Sequence, residues 1–342
     1  MERILVTGAS GHIGGNVVRE LLRQGRKPVA FVRSTSAPES LATVEVERRV
    51  GDVRNPASLE AAMRGCDAVI HCAANFAVWA RREEEILRPT LEGAANVLKA
   101  ASRAGIKRIV YTSSCVAVGF SSRPDALRNE GDWNDTPHMA YYRAKTDAER
   151  LAVALGEELR LEVVSLCPTL VLGAHDYRVT PSTRPILDMA NGSGATFEGG
   201  TSLVSVQDVA RAHVAALTRG AAGDRFILGG ENLTLKAIAA LVAEVTGRAS
   251  SHMSMPRWAF RTVAALMEAG AAVTGKPPGL TRAAIDDLLG KYAWYDGSRA
   301  RTTLGFEPRS AREVIRETVA WFIERGLLKP AVLAQARAAL AA

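Results

Sequence analysis

Residues 4–14 read Ile4-Leu5-Val6-Thr7-Gly8-Ala9-Ser10-Gly11-His12-Ile13-Gly14, and a helical pattern opens directly behind them. A β-branched run, three glycines spaced by three and an amphipathic stretch describe a strand, a turn and a helix that together cradle a dinucleotide. Each glycine meets a separate need. Gly8 permits the tight turn, Gly11 lets the backbone approach a pyrophosphate, and Gly14 lets the helix pack close to the strand. Ser10, His12 and Ile13 lie where the helix N-terminus offers unpaired N–H groups and a partial positive charge to phosphate. Glycine-rich turns are common, so the reading rests on the strand before and the helix after.

The same alternation continues outward. Strands are expected at Ile4–Thr7, Val29–Val32, Val44–Val50, Ala68–Cys72, Ile109–Thr112 and Val163–Cys167. Helical periodicity lies between them at Gly14–Gln24, Ala57–Arg64, Glu84–Arg103 and Tyr142–Leu159. Strands separated by helices imply right-handed crossovers and an α/β fold with a parallel, doubly wound Rossmann sheet. After Pro168 the pattern changes. Residues 173–200 are rich in Gly, Pro, Thr and Ser, with a short helix near Ile186–Ala190. A strand at Leu203–Val206, a helix at Asp208–Arg219 and a strand at Arg225–Leu228 follow. Helices then dominate, at Leu235–Thr246, Trp258–Val273, Ala283–Leu289 and Ala311–Arg325. We therefore expect residues 1–172 to form the dinucleotide-binding domain, with 203–228 returning to it. Residues 173–202 and 229–330 would form a smaller, mostly helical substrate lobe, packed at the carboxyl edge of the sheet where ligands bind.

Composition narrows the function classes. The 342 residues are 47% hydrophobic and 23% charged, an ordinary globular balance. The net charge is +7, but the basic residues are scattered, with no run longer than pairs such as Arg48-Arg49 and Arg81-Arg82. No nucleic-acid partner is expected. Four dispersed cysteines, Cys66, Cys72, Cys115 and Cys167, form no C-x-x-C pair and suit buried thiols; no metal is expected. Met1 runs straight into a strand, leaving no room for a signal peptide, and no stretch is long and apolar enough to span a bilayer. A cytoplasmic protein is the expectation, with a homodimer left open. The stretch Trp258–Val273 reads as an amphipathic helix that lines a pocket or rests on a membrane surface.

The second strand ends in Phe31-Val32-Arg33-Ser34, with no acid before Glu39. A carboxylate near this point would hold the ribose 2′-hydroxyl of NAD; Arg33 would instead grip a 2′-phosphate. An exposed loop residue is the lesser reading of Arg33. The expected cofactor is NADP, with NAD as the alternative. Asp52, followed by Val53, closes the third strand and would accept a hydrogen bond from the adenine amino group, or else act as a helix cap or turn residue.

Tyr141 and Lys145 stand four residues apart, on one face of a helix. A phenol is a poor base at neutral pH, and lowering its pKa by about three units takes about 4 kcal/mol, within reach of a close ammonium and an oxidised nicotinamide. Tyr141 would then exchange a proton with the reacting oxygen. The strand before that helix ends Tyr111-Thr112-Ser113-Ser114-Cys115, placing a hydroxyl at the sheet's carboxyl edge. Ser113 and Ser114 compete for the hydrogen bond to that oxygen; each is also a candidate for a turn or cap.

Taken together, the glycine motif, Gly51-Asp52, His71-Cys72-Ala73-Ala74, Tyr111-Thr112-Ser113-Ser114, the Tyr141–Lys145 pair with Glu149 beyond it, and Val206-Gln207-Asp208-Val209-Ala210 resemble the extended short-chain dehydrogenases, the NAD-dependent epimerase/dehydratase family. Within that family the chain is similar to the dihydroflavonol-4-reductase-like and hopanoid-associated sugar epimerase-like branch, the latter through Phe226–Thr234. The likeness runs over about residues 3–325 in order. It implies a catalytic Ser114, Tyr141 and Lys145. It also implies Ala73 and Ala74 beside the cofactor, with Thr112, Pro168 and Val171 near it.

Departures from the family narrow the chemistry. Cys115-Val116-Ala117 follows Ser114, where sugar dehydratases carry an acid, so dehydration is disfavoured. Lys291–Asp296 lacks the arginine that clamps a nucleotide-sugar diphosphate. Phe76, Trp79, Met139 and Tyr177, with Phe120 and Trp133, lie in segments expected to border the cleft, which suits an aromatic, terpenoid or similar hydrophobic ketone. His138, His175 and Arg178 are polar candidates nearby. The expected activity is NADPH-dependent reduction of a ketone or aldehyde on a hydrophobic small molecule. A sugar epimerase is the alternative, and a redox-sensing module that has dropped catalysis is a third reading, weakened by the retained Tyr141 and Lys145.

Overall fold

The computed structural model describes residues 1–35, 38–74, 79–80, 82–193, 195–248, 253–254, 256–275 and 277–341. In chain order the first half runs β1 (Arg3–Thr7), α1 (His12–Arg23), β2 (Lys27–Val32), β3 (Glu47–Val50), α2 (Pro56–Met63), β4 (Ala68–His71), α3 (Glu84–Arg103), β5 (Arg108–Thr112), α4 (Cys115–Val118), α5 (Ala140–Glu158) and β6 (Glu162–Pro168). The second half continues through β7 (Leu170–Leu172), α6 (Arg184–Ala190), β8 (Ala195–Thr196), β9 (Gly199–Ser205), α7 (Val206–Ala215), β10 (Arg225–Leu228), β11 (Glu231–Thr234) and α8 (Leu235–Val245). It ends with β12 (Met253–Ser254), α9 (Arg257–Thr274), α10 (Arg282–Leu288), β13 (Lys291–Ala293), α11 (Ser298–Leu304), α12 (Ala311–Glu324) and α13 (Pro330–Ala341).

Seven parallel strands make the central sheet in the order β10-β6-β5-β4-β1-β2-β3. Strand order reverses between β1 and β4, and a crevice opens at the carboxyl ends of strands at such a point. Both faces of the sheet are covered. Ile4, Val6, Ile70 and Val110 pack with Val17 and Leu21 of α1 and Val209 of α7. Leu5, Val69, Ile109 and Val163 face the opposite way, against Leu59, Val97 and Ala148. Burial on both faces explains why these strands read as unbroken apolar runs.

Beyond β6 the sequence expectation needs correcting. β7 and the strand expected at Leu203–Val206, now within β9, do not join the central sheet. β7 pairs with β9, and β9 in turn with β11 and β13, in a second, four-stranded sheet. Helix α7 and strand β10 do return to the central sheet. The lobe is therefore helical around a small sheet, with Ile186, Val242, Val314 and Phe322 in its own core. The third strand starts at Glu47 rather than Val44, because Val44 closes a turn on the Leu41 carbonyl at 3.2 Å. Along α9, Trp258, Leu266 and Val273 are exposed. No helix among the described residues is long and apolar enough to cross a membrane.

Candidate active site

The glycine turn lies at the β1–β4 crevice. Gly8 has φ +69°, and a Cβ on it would sit 2.6 Å from the Ala73 nitrogen. A Cβ on Gly14 would lie 2.3 Å from the Gly8 carbonyl oxygen, so α1 reaches β1 only with glycine there. Gly11 heads α1 with no side-chain cap, and no acid stands in the first turn. Ser10 and Ile13 flank this helix start. An uncapped helix start beside a cradle that a Cβ would fill suits the pyrophosphate of a dinucleotide. The His12 side chain is turned to the second lobe, where its Nε2–H donates to the Ala174 carbonyl at 3.1 Å. Asn16 donates to the same oxygen, and the Ala174 N–H donates to Glu317, tying α1 to the second lobe.

The remaining candidates for the cofactor spread around this crevice. Ala73 and Ala74 follow β4, with the Ala73 N–H donating to Thr7 Oγ1 at 3.3 Å. Arg33 is exposed at the end of β2. Glu39 faces Arg325 of the second lobe at 3.5 Å. Asp52 is held by Arg54 through the backbone N–H and the guanidinium, which keeps its carboxyl below the usual range, with help from Arg33. It is a turn residue, and the cap of α2 is Asn55. The Val53 carbonyl accepts from Asn96. Pro168 ends β6 in register with Leu228, and Val171 is buried in β7.

Helix α5 carries Tyr141 and Lys145, both buried. The Lys145 ammonium donates to the Thr112 carbonyl at 2.9 Å. The Thr112 hydroxyl is occupied elsewhere. His213 donates its Nδ1–H to the Val209 carbonyl, so its Nε2 accepts from Thr112 at 2.9 Å. Ser113 and Ser114 separate cleanly. Ser113 Oγ donates to Glu149 at 2.6 Å inside the core, whereas Ser114 caps α4 and shares a hydrogen bond with Tyr141. The strand-end turn thus sends one hydroxyl into the core and the other to the phenol.

The electrostatics depart from expectation in one respect. Burial pushes the Tyr141 phenol above its ordinary value, Cys115 adds to this, and Ser114 pulls it back only in part. The protein alone therefore keeps the phenol protonated, because desolvation of a phenolate outweighs its neighbours. Burial likewise pushes Lys145 down to about 8, against the pull of Glu149. His71, pushed down to about 3, and the Cys72 thiol, pushed up to about 12, add no charge beside it at neutral pH.

Lys145 therefore strains the fold below pH 8, where it is charged both in the core and in the unfolded chain. That cost, roughly 3 kcal/mol, fades as pH rises from about 8 towards the unfolded value near 10.5. Lys145→Met removes it along with one charge-assisted hydrogen bond of about 2 kcal/mol. The variant is expected to be about 1 kcal/mol more stable at pH 7, with the gain vanishing by about pH 9. Urea unfolding of both proteins at the two pH values checks this; a less stable variant at pH 7 refutes it.

The substrate-pocket expectations divide. Met139 is buried beside Tyr141 and Tyr142, and Phe120 meets Tyr142 edge-on at 5.5 Å. Trp79 is half-buried, and Phe76 lies outside the described residues. Tyr177 belongs elsewhere: it packs on Trp321, His175 and Arg325 against the core of the second lobe. Trp133 stacks on Arg225 at 3.6 Å. His138 pairs with Asp287 at 2.8 Å. Three supporting groups escape a sequence reading. Arg225 pairs with Glu149 at 2.8 Å, Tyr295 donates from its hydroxyl to the Gly119 carbonyl behind α4, and Asp287 meets the start of α5. All three act across long chain separations, and none stands in a local motif.

Residues 4–229 match the NAD dependent epimerase/dehydratase family. A putative dihydroflavonol 4-reductase from Synechocystis sp. is 32% identical over 332 residues, covering 95% of both chains. Sterol demethylase protein B from Methylococcus capsulatus is 32% identical over 333 residues, covering 95% of this chain and 99% of that one. The crystal structure of gox2253 superposes with a TM-score of 0.84 at 32% identity, covering 96% of this chain and 100% of that one. The glycine cradle, the Tyr141–Ser114 contact and a match over most of the chain's length converge: the chain belongs to the NAD dependent epimerase/dehydratase family and is an NAD(P)-dependent oxidoreductase of the extended short-chain dehydrogenase type.

Proposed function

We propose that the protein reduces a ketone or aldehyde on a hydrophobic small molecule, using NADPH, with Tyr141 as proton donor, Ser114 as hydrogen-bond donor and Lys145 as the charge beside them. The observation that carries the reading is the burial of Tyr141 and Lys145 on one face of α5, with the ammonium on the Thr112 carbonyl, Ser113 committed to Glu149 and Ser114 left at the strand end beside the phenol. A phenol that burial keeps protonated is ready to give its proton to a carbonyl oxygen, which is the reductive direction. Ser114 hydrogen-bonds the same oxygen as negative charge develops there. Bound along the glycine cradle, the dinucleotide supplies the hydride. Ile86, Leu87, Val116, Met139 and Phe120 around Tyr141 support an apolar substrate, since they offer no charge to a sugar nucleotide.

Ser114→Ala is expected to lower kcat about 30-fold, the equivalent of about 2 kcal/mol for a hydrogen bond to a charged oxygen. Ser113→Ala is expected to lower stability while sparing kcat per folded molecule. The reverse pattern would move the role to Ser113.

Arg33 supports NADPH: it is exposed at the β2 edge, while Glu39, the nearest acid beyond it in the chain, faces Arg325. A 2′-phosphate gripped by a guanidinium gains about 1.5–3 kcal/mol. The direct test is consumption of NADPH and of NADH against hydrophobic ketones and nucleotide sugars, with Arg33→Ala in parallel. NADPH oxidation with a hydrophobic ketone, and loss of most of the NADPH preference in the variant, is the expected result. Conversion of a nucleotide sugar into its stereoisomer without net cofactor use would make the protein an epimerase. A tenfold preference for NADH would refute the role of Arg33.

A further inference from the structure

The helix that carries Tyr141 and Lys145 is not capped by its own sequence. Met139 stands at the N-cap of α5, where it has no side-chain acceptor to offer. What fixes the helix start is a carboxylate from 148 residues further along the chain, which takes the N–H groups of Met139 and His138 just ahead of the first turn. Asp287, in α10, accepts from the Met139 N–H at 2.8 Å, from the His138 N–H at 3.1 Å and from His138 Nδ1 at 2.8 Å. Its side chain is only 7% exposed. A buried carboxylate is costly unless its lone pairs are satisfied, and here three donors and the positive end of a helix dipole meet it. Helix α10 packs on α9 and β13, and its Ala283, Ala284 and Leu288 lie against the apolar cluster around Met139 and Tyr141.

Met139 is two residues before Tyr141, and the Tyr141 phenol must meet Ser114, which is fixed separately at the end of β5. The first turn of α5 therefore sets the distance between two groups that act on one oxygen. We propose that Asp287 is a positioning residue: from the second lobe it holds that first turn, and with it the Tyr141 phenol, in register with Ser114. Proton transfer then depends on how α10 is seated. A displacement of about 1 Å at a reacting group is enough to cost about a hundredfold in rate. The inference rests on the assignment of Tyr141 as proton donor.

The test compares Asp287→Ala and Asp287→Asn with Tyr141→Phe, each normalised to the number of dinucleotide-binding sites by fluorescence titration. Asp287→Ala is expected to lower kcat tenfold or more with KM nearly unchanged, and to raise the solvent deuterium isotope effect on kcat as proton transfer becomes limiting. Asp287→Asn, which keeps one acceptor oxygen, should fall between it and wild type. Amide exchange at residues 138–142 should quicken in the same order. A wild-type kcat and isotope effect per binding site would overturn the inference even if the melting temperature falls. So would a lower kcat with an unchanged isotope effect, which is what a purely structural cap would give. Should Asp287→Ala fail to fold, the near-isosteric Asp287→Asn is judged by the same readouts. If Tyr141→Phe is inactive while both Asp287 variants match wild type, only this inference falls; if Tyr141→Phe stays active, the assignment beneath it falls as well.

Discussion

Tyr141→Phe is expected to lower turnover about a thousandfold while dinucleotide affinity stays within about twofold of wild type. The change removes one oxygen from a buried ring and leaves the packing against Tyr142 and Met139 in place. That oxygen shares its hydrogen bond with Ser114, so the phenylalanine variant leaves one polar partner unsatisfied near the reacting position. A thousandfold loss is about 4 kcal/mol, the size of a general-acid contribution rather than of a packing defect. Loss in kcat and kcat/KM together, with unchanged cofactor binding, identifies a group that acts only in the transition state. Turnover within tenfold of wild type would rule Tyr141 out as the proton donor.

Glu149→Ala is expected to destabilise the fold by about 3–5 kcal/mol, the usual cost of stripping one partner from a buried ion pair. The Glu149 carboxylate is fully buried and accepts from Arg225 at 2.8 Å and Ser113 at 2.6 Å, with Cys167 Sγ at 3.5 Å. Its removal leaves the Arg225 guanidinium, itself only 8% exposed, with two backbone carbonyls and the face of Trp133. The measurement is the midpoint of urea unfolding, with Glu149→Leu/Arg225→Met as control. Replacing both charges with apolar groups of similar volume is expected to recover most of the loss, since the desolvation cost disappears with the pair. A single variant within about 1 kcal/mol of wild type would mean that water reaches the pair.

The fold's first half was legible because its signals are local. Gly8, Gly11 and Gly14 announce their turn within seven residues, and the inner strands β1, β4 and β6 carry their burial on both faces as apolar runs, whereas the edge strand β3 is mostly charged and exposed. Helix boundaries at α3 and α8 follow from periodicity alone. The Tyr141–Lys145 spacing needs only the helical pitch to place both on one face. The second sheet was not legible. β7, β11 and β13 are three or four residues long, too short for a period to show, and they are strands only because β9 stands between them. Tyr177 misled because an aromatic residue in a loop carries no sign of which core it will join; it went to Trp321.

By itself, the sequence determined the doubly wound sheet, the dinucleotide cradle and the helix bearing the Tyr–Lys pair, because spacing along one chain is enough to specify each. Only the tertiary structure showed that Ser113 is turned into the core, where Glu149 takes its hydroxyl, while Ser114 stays at the strand end. It alone also brought Arg225 to Glu149, Tyr295 to the back of α4 and Asp287 to the start of α5. Such partners are set by how separate elements pack, and no local pattern of residues records which distant side chain will fill the acceptor a helix end or a buried charge requires.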